Sequence, residues 1–246
     1  MIESLKKSFN VYSKNPFLYV WASMMYICVL IATILAAAGL IVVYFITMAI
    51  FNQAVDPQSL PTLAIGSVVG LLLMLLLSGL NAALAGAYHS AFWKEKTTLT
   101  AFYAYAIDKA PTNFAILLMR EIVWLLLAGP GIAIYIYFLS GTPYMDLLTG
   151  GYVLSVTFVI HMIFTPALLA AGAFGTDIYN SLKHAFDFLK RRHIFFVGQY
   201  IVFAVTWFLN FVPFLQFATI FFAYPVVYTA MINMMEEAVK IQKEED

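Results

Sequence analysis

The chain has 246 residues, of which 63% are hydrophobic and 11% are charged, and its formal net charge is zero. A soluble domain is about 45–50% apolar and about 25% charged. A chain with so few charges cannot cover its own surface in water, so the composition excludes an ordinary soluble domain. It predicts that lipid is the solvent for most of the chain.

Six long apolar segments follow one another along the chain. A membrane-spanning helix needs about 20 predominantly apolar residues. Segments of this kind lie at 17–47, 63–92, 113–139, 151–174, 194–211 and 214–234. We therefore predict an all-α integral membrane protein, in which residues 1–246 form a single transmembrane domain with six transmembrane helices.

The basic residues lie on alternate sides of these segments. Twelve of the thirteen Lys and Arg residues fall in four short stretches, which are 6–14, 94–109, 183–192 and 240–243. The other three loops, near 52–62, 140–150 and 209–213, contain no Lys or Arg. Because basic loops stay in the cytoplasm, the alternation predicts a multi-pass protein of the cell membrane with cytoplasmic N- and C-termini.

A similar short segment precedes each odd-numbered span. A hydroxyl residue, a Leu, and an aromatic residue four positions after the Leu occur at 4–9, 98–103 and 181–186. The first segment carries Ile2, Leu5, Phe9 and Tyr12 at helical spacing, which is typical of a helix that lies in the membrane interface. We therefore predict three cytoplasmic amphipathic elbow helices.

Two spans follow each elbow, which suggests three repeats of an elbow plus a helical hairpin, at 1–93, 94–176 and 177–240. A pattern shared by all sites where a chain turns into the membrane, without duplication, is the alternative. Thr97 or Thr98 and Asp177 or Asn180 are candidate caps for the second and third elbows.

The second span has a strip of small residues, at Ser78, Ala82, Gly86 and Ser90, with a Gly66–Gly70 pair nearer its outer end. Small residues at every fourth position let another helix approach closely within a membrane. We expect the partner helix to belong to the same chain, and a second subunit is the alternative.

Few polar groups lie within the spans, and ionisable residues inside a membrane are candidates for function. Arg120 and Glu121 lie in the third span, and His161 lies near the middle of the fourth, five residues before Pro166. Adjacent residues point about 100° apart on a helix, so we expect Arg120 and Glu121 not to face each other squarely. We expect Arg120 and Glu121 to form a structural ion pair and His161 to be a packed, hydrogen-bonded residue. The alternative is that these residues, with Asn81, form a cavity or substrate site.

A second candidate site is basic. Lys183, Lys190, Arg191 and Arg192 lie where the third elbow meets the fifth span. Each basic residue near an anionic membrane surface contributes about 1 kcal/mol of attraction. A role in setting the topology is the plainer interpretation of these residues, and contact with anionic lipids is the alternative.

The sequence contains none of the common catalytic or metal-binding motifs. It has no HExxH pair, no GxSxG elbow, no phosphate-binding glycine loop and no CxxC, and its one cysteine is Cys28. Because these motifs are missing, we expect no metal site and no cofactor. We also expect no nucleic-acid partner, because the basic residues belong to the elbows beside the membrane.

These observations predict a non-enzymatic polytopic protein that binds membrane lipids or a protein partner, such as another membrane protein or a second copy. The alternative is a transporter or channel for a small or lipid-like solute, with its cavity near Arg120, Glu121 and His161.

The recurring elbow followed by two spans, with Pro166 and Pro225 in even-numbered helices, resembles a loose group of prokaryotic six-helix membrane proteins. This group includes the membrane region that is fused to some glycerophosphodiester phosphodiesterases. The resemblance covers nearly the whole chain and implies the same helical architecture. It does not imply their hydrolase activity, because this sequence contains no counterpart of the hydrolytic barrel.

Overall fold

The computed structural model describes residues 2–50, 60–139, 144–209, 212 and 215–245, and no strand occurs among them. The helices are α1 (Ile2–Lys14), α2 (Pro16–Ile50), α3 (Leu60–Phe92), α4 (Leu99–Ile134), α5 (Met145–Phe174), α6 (Ile178–Leu209), α7 (Leu215–Ala218) and α8 (Tyr224–Glu245). A π-helical turn, Tyr135–Leu139, follows α4, and another, Thr219–Ala223, precedes α8. The prediction of an all-helical protein is confirmed for these residues.

Four helices are long and apolar enough to cross a membrane, and they cover Pro16–Ile50, Thr62–Phe92, Leu99–Phe138 and Met145–Phe174. They match the first four predicted spans and are consistent with a membrane protein. The fifth and sixth predicted spans include residues outside the described ranges. A total of six spans therefore stays a prediction, as does the cytoplasmic location of the termini.

The three elbow segments do not share one structure. The first elbow is the separate helix α1, because Asn15 precedes Pro16 and the residue before a proline disfavours the helical conformation. The second and third elbows instead form the first turns of α4 and α6, which continue unbroken into the next apolar segment. Separate elbow helices are therefore wrong for these two copies. The threefold repeat stays a prediction.

Two of the candidate helix caps are confirmed. The Thr98 hydroxyl accepts a hydrogen bond from the backbone N–H of Ala101 at 3.2 Å, at the start of α4. The Asp177 carboxylate accepts one from the backbone N–H of Asn180 at 2.8 Å, at the start of α6. Each cap satisfies a backbone donor that has no partner within its own helix.

Helix α1 packs on α8 through a polar stripe of Ser4, Ser8 and Tyr12. Ser4 donates to a backbone carbonyl of α8 at 2.9 Å, Ser8 accepts from the Asn233 side-chain amide at 3.2 Å, and Tyr12 donates to a carbonyl of the second π turn at 3.0 Å. Residues four apart share one helical face. Phe9 of the predicted apolar stripe is exposed, whereas Tyr12 is buried, so Tyr12 belongs to the face that meets the protein.

Helix α3 contacts α2, α4, α5 and α8. Ser78 and Ala82, on its small-residue strip, are buried. A Cβ atom added at Gly86 would lie 3.2 Å from the carbonyl oxygen of Gly172 on α5. Packing of this strip within the chain is therefore confirmed. The Gly66–Gly70 pair is different, because a Cβ at either position would meet nothing within 4 Å.

Candidate functional site

A cavity of about 900 Å³ lies between α3, α4, α5 and the start of α8. Ligand cavities in proteins commonly measure about 300–1,000 Å³ and combine an apolar lining with a few polar groups. This cavity has both kinds of lining. Its apolar residues include Leu117, Leu154, Phe158, Val159 and Leu168, and its polar residues include Ser78, Asn81, Asn113, Arg120, Ser155, Thr157, His161 and Thr165.

Three of the five predicted cavity residues come together here. Asn81 of α3, Arg120 of α4 and His161 of α5 line the same cavity, whereas Glu121 and Pro166 do not. The Glu121 side chain is 48% exposed, and Pro166 is buried within α5.

The three lining residues lie in the interior of long helices. With a rise of about 1.5 Å per residue, Asn81 lies about 16 Å from the end of α3, and His161 lies about 20 Å from the end of α5. Arg120 lies about 21 Å from the end of α4. The polar part of the cavity is therefore well separated from these helix ends.

Arg120 and Glu121 form an ion pair, as the structural interpretation of these residues predicts, although neighbouring side chains leave a helix about 100° apart. The Arg120 Nε atom donates to Glu121 Oε1 at 3.0 Å, and Nη2 donates to the same oxygen. Both side chains are long enough to turn back across the angle between them. The Arg120 side chain is 21% exposed and the Glu121 side chain is 48% exposed, so the pair joins the cavity wall to the outer surface.

Hydrogen bonds fix several of the polar groups around the cavity. The Ser78 hydroxyl lies 3.1 Å from the Ala110 carbonyl oxygen and links α3 to α4. Trp124 donates its indole N–H to the Thr157 hydroxyl at 2.8 Å and links α4 to α5. The Asn81 Oδ1 atom accepts from the Tyr26 hydroxyl at 3.2 Å. These bonds connect the helices that enclose the cavity.

Sequence reasoning missed the hydroxyl residues of α5. Thr157 and Thr165 stand four residues before and four residues after His161, and all three line the cavity. Residues at this spacing share a helical face. A search for polar residues on the face of His161 would have found both threonines from the sequence.

The other candidate site is only partly described. Lys183 and Lys190 are exposed on α6. The side chains of Arg191 and Arg192 lie outside the described part of the structure, so contact of these four residues with anionic lipids stays a prediction.

A polar cluster that the sequence did not predict joins α8 to its neighbours. His89 Nε2 lies 3.4 Å from a Glu236 carboxylate oxygen, and Trp93 donates to the same histidine nitrogen at 3.3 Å. Lys7 of α1 forms an ion pair of 3.0 Å with Glu237. Among the described residues, no group of three His, Cys, Asp or Glu side chains is placed to hold a metal ion. The His89–Glu236 and Lys7–Glu237 contacts join α3 and α1 to α8.

The chain matches no protein-family model, and comparison with curated proteins and with solved structures found no match. The resemblance to the membrane regions of phosphodiesterases therefore stays a prediction.

Proposed function

We propose that the chain is a non-enzymatic polytopic membrane protein that binds an amphipathic, lipid-like molecule in the cavity between α3, α4 and α5. The observation that carries this proposal is the convergence of Asn81, Arg120 and His161 on one space of about 900 Å³ with a largely apolar lining. A ligand with both a polar and an apolar part matches such a lining.

The outer wall of the cavity supports an origin of the ligand in the membrane. Leu154, Phe158 and Val159 line the cavity, and their side chains are also exposed at the surface of the protein. Leu154 is 71% exposed and Val159 is 54% exposed. The cavity thus borders the face that lipid would cover, and an amphiphile would reach it from the side without crossing water.

The proposal is tested by the lipid that stays with the purified protein. Thr165→Trp places a large ring in the cavity, and Leu125→Trp places the same ring on α4 at a side chain that is 63% exposed and does not line it. Lipid is extracted from equal amounts of each purified protein and quantified by mass spectrometry. We expect the wild type and Leu125→Trp to retain an amphiphile in stoichiometric amount, and Thr165→Trp to lose it.

Equal retention by all three proteins, with equal thermal stability in detergent, would contradict binding in the cavity. Thermal stability is measured in parallel, so that loss of lipid through misfolding is recognised.

Transport of the same class of molecule is the second candidate. It is favoured by the π-helical turn Thr219–Ala223, because such turns often occur at functional sites. The turn leads directly into Tyr224, which lines the cavity, and its backbone carbonyls accept hydrogen bonds from Tyr12 and Ser23.

Transport predicts that liposomes containing the protein move a fluorescent lipid analogue between leaflets faster than empty liposomes. We expect His161→Ala to slow this movement. If the protein and empty liposomes give the same rate, transport is excluded and binding alone remains.

A further inference from the structure

We propose that the ligand of this cavity is an acidic amphiphile, a single anionic head group on an acyl chain, with the head group against Arg120. This inference rests on the proposed function and adds the chemical class of the ligand. A carboxylate and a phosphate head group share the required chemistry, which is a negative charge with several hydrogen-bond acceptors.

The charge of the cavity lining favours an anionic ligand. Arg120 is the one charged side chain among the described residues that line the cavity, and the remaining polar lining consists of hydroxyl, amide and imidazole groups. Its partner Glu121 lies outside the lining. A cation that faces a largely apolar cavity attracts an anion more strongly than it would in water.

Arg120 and Asn81 also have hydrogen-bond donors left for a ligand. Glu121 occupies Nε and one hydrogen of Nη2, which leaves Nη1 and the other Nη2 hydrogen of Arg120 for a ligand. The Nδ2 atom of Asn81 is also left over, because the bond from Tyr26 uses only its Oδ1. Planar pairs of guanidinium N–H groups bind carboxylates and phosphates in a bidentate manner.

Glu121 has a positioning role in this arrangement. Its carboxylate holds the Nε edge of the guanidinium and thereby leaves the Nη edge available to a ligand. Arginine has enough donors to bind two acidic groups at once. The pair therefore prepares the guanidinium for a second anion and also offsets the cost of placing its charge in the membrane.

The apolar wall of the cavity favours an amphiphile over a free anion. Leu117 is three residues before Arg120 on α4, and Leu154 and Phe158 face the cavity from α5. Inorganic phosphate would leave this wall without a partner. An acyl chain would cover it and continue toward the exposed side of Leu154.

Trp124 supplies a reporter for the test. It donates to Thr157, which lines the cavity, so a bromine atom on a bound chain would quench Trp124 fluorescence. The assay uses the full chain in detergent with Trp21, Trp93 and Trp207 replaced by phenylalanine. The probes are dibromostearic acid, its uncharged methyl ester, and brominated lysophosphatidic acid and lysophosphatidylcholine, at a pH at which both acids are ionised.

We expect saturable quenching by the acidic probes, with the methyl ester binding at least about tenfold more weakly, because a charge-assisted hydrogen bond is lost. The double variant Arg120→Gln/Glu121→Gln removes the pair without leaving an unpaired charge, and we expect it to bind the acid and the ester equally. Lys14→Gln, a change of an exposed lysine at the end of α1, is the control and should keep the preference for the acid.

Equal affinity of the wild type for the acid and the ester would overturn this inference and leave the proposed function intact. A preference that survives in the double variant would overturn the role of Arg120. If no probe, including the ester, quenches Trp124 saturably, the proposed function itself fails. Binding of the fatty acid alone, or of lysophosphatidic acid as well, identifies which head group the site accepts.

Discussion

Gly79→Ala tests a close contact between two helices that enclose the cavity. Gly79 follows the cavity residue Ser78 on α3. A Cβ atom at position 79 would overlap the backbone carbonyl oxygen of Ala106 on α4 and would lie 2.8 Å from the Ala110 Cβ atom. A backbone carbonyl cannot turn aside as the end of a side chain can, so α3 and α4 must separate.

The expected change in the free energy of unfolding combines two opposing effects. Overpacking of a filled interior costs about 1–3 kcal/mol. Replacement of glycine by alanine within a helix contributes about 0.5–1 kcal/mol of stabilisation. We therefore expect Gly79→Ala to lower the free energy of unfolding by up to about 2.5 kcal/mol, and by about 1–3 kcal/mol relative to a Gly→Ala change that causes no overlap.

The matched control is Gly66→Ala on the same helix, where the added Cβ atom would meet nothing within 4 Å. This variant should equal or slightly exceed the wild type in stability. Both are measured by reversible unfolding with increasing SDS in mixed micelles, followed by tryptophan fluorescence. If Gly79→Ala is as stable as Gly66→Ala, the packing of α3 on α4 that encloses the cavity is refuted.

Three further predictions use the same assay. Ser8→Ala leaves the Asn233 amide, which is 2% exposed, without its hydrogen-bond acceptor and should cost about 1–3 kcal/mol. Tyr105→Phe removes a hydrogen bond of 2.7 Å to the Gly172 carbonyl oxygen and should cost about 0.5–1.5 kcal/mol. Lys7→Gln breaks an ion pair whose two side chains are each 53% exposed, and should cost less than about 1 kcal/mol. A larger loss for Lys7→Gln than for Ser8→Ala would contradict this order.

The long apolar helices were predictable, because a membrane-spanning helix is recognised from the hydropathy of about 20 consecutive residues, without knowledge of the tertiary contacts. Arg120 and His161 were also predictable as cavity candidates, because polar residues are rare within the spans and each one must find a polar partner or a cavity. Glu121 and Pro166 were placed in the same site on proximity along the chain. Neither lines the cavity, and the helical angle alone could not have shown this, because Val159 lines it although it is turned about 160° from His161.

Whether an elbow forms a helix of its own depends on single residues, which the repeat pattern does not take into account. Pro16 ends α1, because a proline disfavours the helical conformation of the residue before it, which is Asn15 here. Pro111 instead lies within α4, where it removes one backbone hydrogen bond without ending the helix. The protein-facing stripe of α1 was missed for a different reason. Ser4 and Ser8 are small and polar, and they belong to the protein-facing side of α1 only through their hydrogen bonds to α8.

The most direct test of the central claim is to locate a bound amphiphile on the protein. A fatty acid that carries a photoreactive diazirine on its chain is added to the protein in detergent, activated by light, and its adducts are mapped by peptide mass spectrometry. The account predicts adducts on the cavity residues Leu117, Phe158 and Leu168 that an excess of unlabelled fatty acid suppresses. Adducts spread over outer side chains such as Ile34 and Leu125, with no such suppression, would contradict a binding cavity between α3, α4 and α5.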